Sequence, residues 1–257
     1  MEIKNINKNN KFNSIQKMIV EEIIKRVRRK TFGNRVEDIV IGLNYTYVKL
    51  TQGCGVAYTL KEARHCFVSD SGDFCNKTPT ELINFIRSHH PLKLCIGMAT
   101  INALIEVEEY EIGDILKFLD ISSEDIVGMV GYFSPLIERL KCIVKELYVF
   151  EREKIDNVYP DWAVYELLPK CSVVFITGVA VMNKTIHTLL KLAESAREIC
   201  IVGATTPLIP EVFKKYGVTL LGGIRIVDCE RLRNIIKEGG GARNFGNTVE
   251  KIVVRIK

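Results

Sequence analysis

The stretch IVGMVGYFSPLIERL, residues 126–140, decides the fold class of this 257-residue chain. It begins as an apolar run typical of a buried strand, turns at Gly131, and restarts as a helical pattern behind Ser134-Pro135. A strand, a glycine turn and a helix in this order form the phosphate-binding turn of nucleotide-binding folds. Whether this turn binds a nucleotide depends on the rest of the sequence.

The second half of the chain repeats this alternation of strand and helix. Runs rich in Val, Ile and Phe start near residues 125, 146, 172, 198 and 218, and EKIVVRIK at the end would complete the sheet. Apolar strands that are each followed by a helix predict a parallel sheet covered on both faces. We therefore predict an α/β fold in which residues 116–257 form a Rossmann-like doubly wound domain.

The first half of the chain has a different pattern. Short β-branched runs between residues 37 and 60, separated by Gly and Asn, are typical of an antiparallel sheet. A basic helical segment, IQKMIVEEIIKRVRRK, precedes these runs, and helical periodicity follows them from Pro79 onward. Residues 1–115 are therefore predicted to form an α+β domain.

The net charge of +5 is unevenly distributed along the chain. Residues 1–35 carry 10 Lys and Arg against 3 Asp and Glu, a surplus of +7, so the remainder has a net charge of −2. We interpret the basic segment as a solvated helix end and expect no nucleic-acid partner. The polar N-terminus and the lack of a long apolar run predict a cytoplasmic protein without a membrane span.

The eight cysteines show no C-x-x-C pair. In a cytoplasmic protein we expect them to be reduced, and Cys95 and Cys200 lie in apolar runs typical of buried positions. A group with soft ligands, formed by Cys54, His65, Cys66 and Cys75, lacks the paired spacing of zinc sites, and its capacity to bind a metal stays open.

Small and polar residues follow the ends of the predicted parallel strands. Ligands of such sheets bind at this edge, so these residues are candidates for a binding rim. Each of Ser134, Asn183 and Thr206, taken alone, is better explained as a helix N-cap than as a ligand-binding residue. The candidate residues of the rim are Gly131, Phe133, Ser134, Glu151, Thr177, Asn183, Thr185, Gly203, Thr205, Thr206 and Pro207.

Glu151 is the acidic residue of this rim, 20 positions after Gly131. A carboxylate at this distance accepts hydrogen bonds from ribose hydroxyls in dinucleotide-binding folds, and it could also serve as a metal ligand or general base. The alternative is an ion pair with Arg152 or Lys154.

The glycine pattern argues against NAD or FAD as the cofactor. The dinucleotide fingerprint requires glycine at three positions of the turn, but Phe133 and Leu136 occupy the second and third. The run EGGGARNFG, residues 238–246, follows a helix rather than a strand, so we interpret it as a flexible loop and a candidate lid over the rim.

Several motifs together resemble a family of prokaryotic proteins described as "putative heavy-metal chelation". They are MVGYFSPL, YVFERE, LLPKCSVVFITG, MNKTIHTLL, IVGATTPLIPEVFKKYGVTLLGG and EGGGARNFG, with VEDIVIGLNYTYVKL and GMATINAL in the first half. The resemblance implies an enolase N-terminal-like first domain, a Rossmann-like second domain and a ligand-binding cleft between them. It also implies that Asn102 of ATINAL faces this cleft; a buried Asn satisfied by the backbone is the alternative.

Hydroxyls, amides and glycine N–H groups dominate the predicted rim, whereas soft heavy metals prefer thiolate and imidazole. We therefore expect the cleft to bind a small anionic ligand or a metal complex through helix N-termini at Ser134, Asn183 and Thr206, with Glu151 orienting the ligand or holding a cation. An enzyme acting on a pterin-like or nucleotide-like molecule, with Glu151 as base or metal ligand, is the alternative. A metal cofactor and a homo-oligomer are both compatible with the sequence.

Overall fold

A computed structural model of the chain describes residues 19–153 and 155–256. In this part of the chain the strands form two sheets, one three-stranded and antiparallel and one eight-stranded and mostly parallel. The predicted combination of a small antiparallel and a larger parallel sheet is therefore confirmed.

The first sheet has the order β1-β2-β3 and packs against helix α3. Its elements are α1 (19–27), β1 (Val36–Ile41), β2 (Tyr45–Leu50), β3 (Gly53–Tyr58), α2 (Pro79–Asn84) and α3 (Pro91–Leu104). Strand β3 lies so close to α3 that a Cβ atom on Gly55 would be 2.2 Å from the backbone nitrogen of Ala103. Only glycine fits this contact, which sets the position of α3 on the sheet.

The larger sheet contains six parallel strands in the spatial order β7-β6-β5-β8-β9-β10. They are β5 (Ile126–Val130), β6 (Glu146–Glu151), β7 (Tyr159–Pro160), β8 (Val173–Thr177), β9 (Glu198–Val202) and β10 (Leu220–Ile226). This is the strand order of doubly wound dinucleotide-binding sheets, with its reversal point between β5 and β8.

Two antiparallel strands extend the sheet beyond β10. The C-terminal strand β11 (Val249–Arg255) pairs with β10, as the EKIVVRIK pattern predicts. The two-residue strand β4 (Glu111–Ile112), which the sequence pattern did not indicate, pairs with β11. The chain therefore enters the larger sheet at its edge before it forms the central strand β5.

Helices cover both faces of the larger sheet. They are α4 (Ser134–Leu140), α5 (Val164–Leu167), α6 (Val179–Met182), α7 (Ile186–Leu192), α8 (Pro210–Phe213) and α9 (Cys229–Lys237). Phe175 of β8 is buried in the cluster that contains α4, whereas the next residue, Ile176, is buried in a cluster that extends to the first sheet. The core is thus continuous between the two sheets. No described helix is long and apolar enough to cross a membrane.

Residues 1–18, which carry four of the ten Lys and Arg of the basic N-terminal region, lie outside the described part of the chain. The described part of α1 is an amphipathic helix whose residues Ile19, Ile23 and Val27 are buried in the core. This apolar face anchors the helix in the core that both sheets share.

At the edge opposite the predicted rim, Asp125 is a buried carboxylate that joins three segments. One oxygen accepts a hydrogen bond from the Ser172 hydroxyl at 2.7 Å, and the other accepts from the Ser122 amide at 2.8 Å and from Arg197 at 2.7 Å. Burial alone would raise the pKa of Asp125, but these hydrogen bonds and the Arg197 charge outweigh it and lower the pKa to about 2.

This lowered pKa predicts an acid-dependent loss of stability. Because protonation of Asp125 is disfavoured in the folded state, its contribution of about 2 kcal/mol is fully present above pH 4 and is lost as the pH falls toward 2. Asp125→Asn should remove this contribution, as measured by urea unfolding across that pH range. The exposed neighbour Glu124 provides the matched control, Glu124→Gln, whose pH profile should follow that of the wild type.

Candidate functional site

The ring of Phe133 lies between two glycine turns at the carboxyl edge of the larger sheet. Gly131 and Gly203, which follow β5 and β9, have φ angles of 102° and 108°. A Cβ atom on either glycine would lie 3.3 Å from the Phe133 ring, and one on Gly131 would also lie 3.1 Å from the Cβ of Thr177. Phe133 thus occupies the edge of the sheet where a dinucleotide would approach the backbone.

Ser134 does not cap helix α4, so that expectation is wrong. Phe133 occupies the N-cap position and Ser134 is the first helical residue. The Ser134 hydroxyl instead accepts a hydrogen bond of 2.5 Å from Arg243 of the glycine-rich loop, which extends over residues 238–246. Tertiary contact with this loop replaces the local cap.

The glycine-rich loop connects the two sheets. Its Gly239 carbonyl accepts a hydrogen bond of 2.8 Å from Asn44, which lies in the turn between β1 and β2. At the other end of the loop, the buried Phe245 packs on Tyr45 with ring centroids 5.0 Å apart. Burial raises the pKa of Tyr45 to about 12, so its hydroxyl stays neutral at physiological pH. The loop is therefore anchored on both sides of the rim.

Glu151 holds the backbone of the rim together. Its carboxylate accepts hydrogen bonds from the amides of Tyr132 at 3.1 Å, Arg152 at 2.7 Å and Glu153 at 3.4 Å. Arg152 forms its ion pair with Asp161 instead, and Lys154 lies outside the described residues. The Glu151 carboxylate thus connects the end of β6 to the turn that follows β5.

Asn183 and Thr185 interact with each other between α6 and α7. The Asn183 side-chain oxygen accepts hydrogen bonds from the Thr185 amide at 3.1 Å and from the Thr185 hydroxyl at 2.7 Å. Thr185, not Asn183, is the N-cap residue of α7, so the predicted cap is displaced by two positions. The hydrogen bonds between these two side chains are therefore formed within their own loop.

Thr205 and Asn102 join the two sheets directly. The Thr205 hydroxyl accepts a hydrogen bond of 2.9 Å from the Tyr58 amide at the end of β3. The Asn102 amide of α3 donates to the carbonyls of Val56 at 2.9 Å and Thr205 at 3.3 Å. These bonds hold the segment after β9 against the first sheet.

The same segment does not begin a helix at Thr206, so the predicted cap there is wrong. Helix α8 starts four residues later, at Pro210, with Ile209 as its N-cap. The segment is packed tightly, because a Cβ atom on Gly178 would lie 2.5 Å from the Thr206 amide nitrogen. Pro207 is buried within it. Contacts with neighbouring turns, not a helix, determine its conformation.

A cleft of about 480 Å³ lies between the two sheets. Of the residues predicted for the site, Asn102 and Thr206 line this cleft, whereas the group around Phe133 and the Asn183–Thr185 pair do not. Sequence reasoning did not identify four other polar and charged residues of the lining, since each is isolated in the sequence: Lys30, Asn34, Gln52 and Glu106.

Two oxygen atoms of the cleft residues are buried without a hydrogen-bond partner in the described structure: Asn102 Oδ1 and Thr206 Oγ1. Thr206 is only 4% exposed. Buried polar atoms are normally paired, and leaving one unpaired costs about 1–3 kcal/mol. Both atoms belong to residues of the lining, and they are the buried polar atoms there that lack a partner in the described structure.

A disulfide between Cys54 of β3 and Cys229 of α9 also lines the cleft. The expectation that all eight cysteines are reduced is therefore wrong for this pair. The two residues are 175 positions apart, so no spacing pattern could reveal their contact. The bond fastens the first sheet to the last helix of the chain.

The neighbours Thr205 and Thr206 provide a matched test of the contact between the sheets. Thr205→Val leaves the partly buried Tyr58 amide without an acceptor and should lower the free energy of unfolding by about 1–3 kcal/mol. Thr206→Val removes an unpaired hydroxyl and should leave stability unchanged or raise it slightly. Urea unfolding of both variants measures the difference, and equal destabilisation would contradict the assignment of the hydrogen bond.

Comparisons with known proteins agree with this architecture. Two family models, both described as "Putative heavy-metal chelation", match the chain: DUF4213 over residues 24–105 and DUF364 over residues 114–255. An uncharacterized protein of Methanocaldococcus jannaschii is 30% identical over 256 residues, covering 93% of this chain and 99% of that relative.

Two solved structures have a similar fold. A DUF364 family protein of unknown function from Pyrococcus horikoshii is 25% identical, with a TM-score of 0.83 over 93% of this chain and 100% of the other. A second, from Desulfitobacterium hafniense, is 23% identical, with a TM-score of 0.75 over 91% of this chain and 98% of the other. The chain therefore belongs to the DUF364 family, described as putative heavy-metal chelation proteins.

Proposed function

We propose that this protein binds a small anionic ligand or a metal complex in the cleft between its two sheets. The observation that carries the proposal is the pair of buried, unpaired oxygens, Asn102 Oδ1 and Thr206 Oγ1, on residues that line one cleft. A ligand that hydrogen-bonds to both would recover the free energy that the folded protein otherwise loses there.

The two oxygens differ in the hydrogen-bonding roles that they can take. Asn102 Oδ1 is a carbonyl oxygen and can only accept, whereas the amide nitrogen of the same side chain donates to Val56 and Thr205. It requires a donor such as a hydroxyl, an amine or a metal-bound water. Thr206 Oγ1 can donate or accept. This combination suits a ligand that carries both hydroxyl and carboxylate or phosphate groups.

The lining carries a small surplus of positive charge, although both of its cations are engaged in ion pairs. Its charged residues are two cations, Lys30 and Arg225, and one carboxylate, Glu106, a surplus of one positive charge. Lys30 pairs with Glu106 at 2.7 Å, and Arg225 pairs with Glu250 at 2.6 Å. The volume of about 480 Å³ is that of a small-molecule site.

The link to heavy metals follows from the family description and from the donor atoms. With the cleft cysteines joined in a disulfide, the lining offers amide and hydroxyl oxygens, which suit the outer atoms of a metal complex better than a bare soft ion. We therefore favour an organic chelate, with the metal held mainly by its own organic ligand.

The enzymatic alternative is supported less well. It assigned Glu151 as base or metal ligand, but the Glu151 carboxylate accepts three backbone hydrogen bonds and does not line the cleft. A carboxylate that accepts three backbone hydrogen bonds stabilises the turn and has few lone pairs free to bind a substrate.

Binding can be tested with native mass spectrometry of the purified protein, followed by calorimetric titration with citrate and with its nickel(II) complex. Thr206→Val should weaken binding of any species that occupies the cleft by about 2- to 10-fold, the effect of one lost hydrogen bond. Its stability should remain that of the wild type, so the change in affinity reports on binding alone.

Thr188→Val is the matched control, since Thr188 lies on α7 outside the cleft lining. Its affinity should equal that of the wild type. Two results would contradict the proposal. In the first, a species binds to Thr206→Val and to the wild type with equal affinity. In the second, neither probe binds and no species co-purifies with the protein.

A further inference from the structure

The described cysteines fall into three groups. Cys95, Cys171 and Cys200 are buried, and burial raises the pKa of each thiol, which disfavours the thiolate form that binds metals. Three others, Cys66, Cys75 and Cys142, are partly or fully exposed and unpaired. The third group is the disulfide-bonded pair, Cys54 and Cys229, and both of its residues line the cleft.

Cys54 and Cys229 are both half-buried in the lining of the cleft, so a small reductant can reach them from the solvent. Their Cα atoms are 6.3 Å apart and belong to different parts of the fold, β3 and α9. Two thiolates on such a pair can hold one metal ion between them. The separation needed is close to what the backbone already provides, since metal–thiolate bonds are about 2.3 Å long.

The surrounding contacts should keep the two cysteines close after the disulfide is broken. Leu232 and Ile236 of α9 are fully buried in a cluster with Tyr47 and Val56 of the first sheet. Arg233 of α9 also forms an ion pair with Asp38 of β1. Helix α9 is therefore attached to the first sheet by apolar packing and charge, independently of the disulfide.

We infer that the Cys54–Cys229 pair is a redox-controlled site for a soft metal ion, closed as the disulfide and open as the dithiol. The inference rests on the proposed function, because it takes the cleft to be the place where the metal is handled. Oxidised, the cleft binds a chelate through oxygen contacts; reduced, it also offers two sulfur ligands.

The chemistry requires a dithiol reductant. The disulfide receives two electrons and two protons, which convert Cys54 and Cys229 to thiols, while the reductant closes to its own cyclic disulfide. A Cu(I) ion then binds both sulfurs and releases the two thiol protons. Cu(I) fits because thiolates select it and because two sulfur ligands suffice for it, whereas structural zinc requires four.

The test is a competition for Cu(I) between the full-length protein and a chromogenic Cu(I) chelator, with the protein either oxidised or reduced with a dithiol and desalted under anaerobic conditions. The reduced protein should bind one tightly held Cu(I) more than the oxidised protein. Cys229→Ser should lower this affinity by more than about 100-fold, since losing only a hydrogen-bond partner of a metal ligand already costs 10- to 100-fold. Cys142→Ser, which removes an exposed cysteine outside the cleft, should retain it.

Circular dichroism of each sample checks that it is folded, and the comparison of oxidised with reduced wild type requires no substitution. Equal Cu(I) binding by the two redox states, or by Cys229→Ser and the reduced wild type, would overturn the inference. That result would leave citrate or nickel–citrate binding by the oxidised protein untouched, so failure here is distinguishable from failure of the proposed function.

Discussion

The structure depends on the contact between the segment after β9 and the first sheet. Thr205 accepts from Tyr58 of β3, and Asn102 of α3 donates to the Thr205 carbonyl. Gly178 is required because the adjacent turn approaches the Thr206 backbone too closely for any side chain. These contacts hold the segment out of a helix and leave the Thr206 hydroxyl buried without a partner. The same constraint that joins the sheets thus creates the polar group that a ligand would satisfy.

The strand order of the larger sheet is that of dinucleotide-binding proteins, but the chemistry at its reversal point is different. The Phe133 ring covers the turns at Gly131 and Gly203, where such folds bring backbone amides to a pyrophosphate. The cleft that remains lies further along the sheet, between β10 and the first sheet. The strand order therefore does not determine which ligand this protein binds, as is true of other common folds.

The cleft is held from several sides. A disulfide links β3 to α9, the Asn102 amide bridges β3 and the segment after β9, and the glycine-rich loop is anchored at Asn44 and at Ser134. A site whose walls are fixed before binding loses little conformational entropy when a ligand arrives. Breaking the disulfide removes one of these connections and at the same time exposes two sulfur ligands. Redox state and ligand chemistry are coupled at this single pair.

The sequence by itself determined the two sheets and most of their strands, because long apolar or β-branched runs specify strands through local periodicity. It did not indicate β4 or β7, since two-residue strands exist only through their pairing with β11 and β6. Cap patterns at Ser134 and Thr206 predicted the wrong local structure, because tertiary hydrogen bonds and packing outweighed local preference. Only the tertiary structure decided the composition of the cleft. Cys54 and Cys229, or Asn102 and Thr206, are far apart in sequence, and the packing of one sheet on the other brings them together.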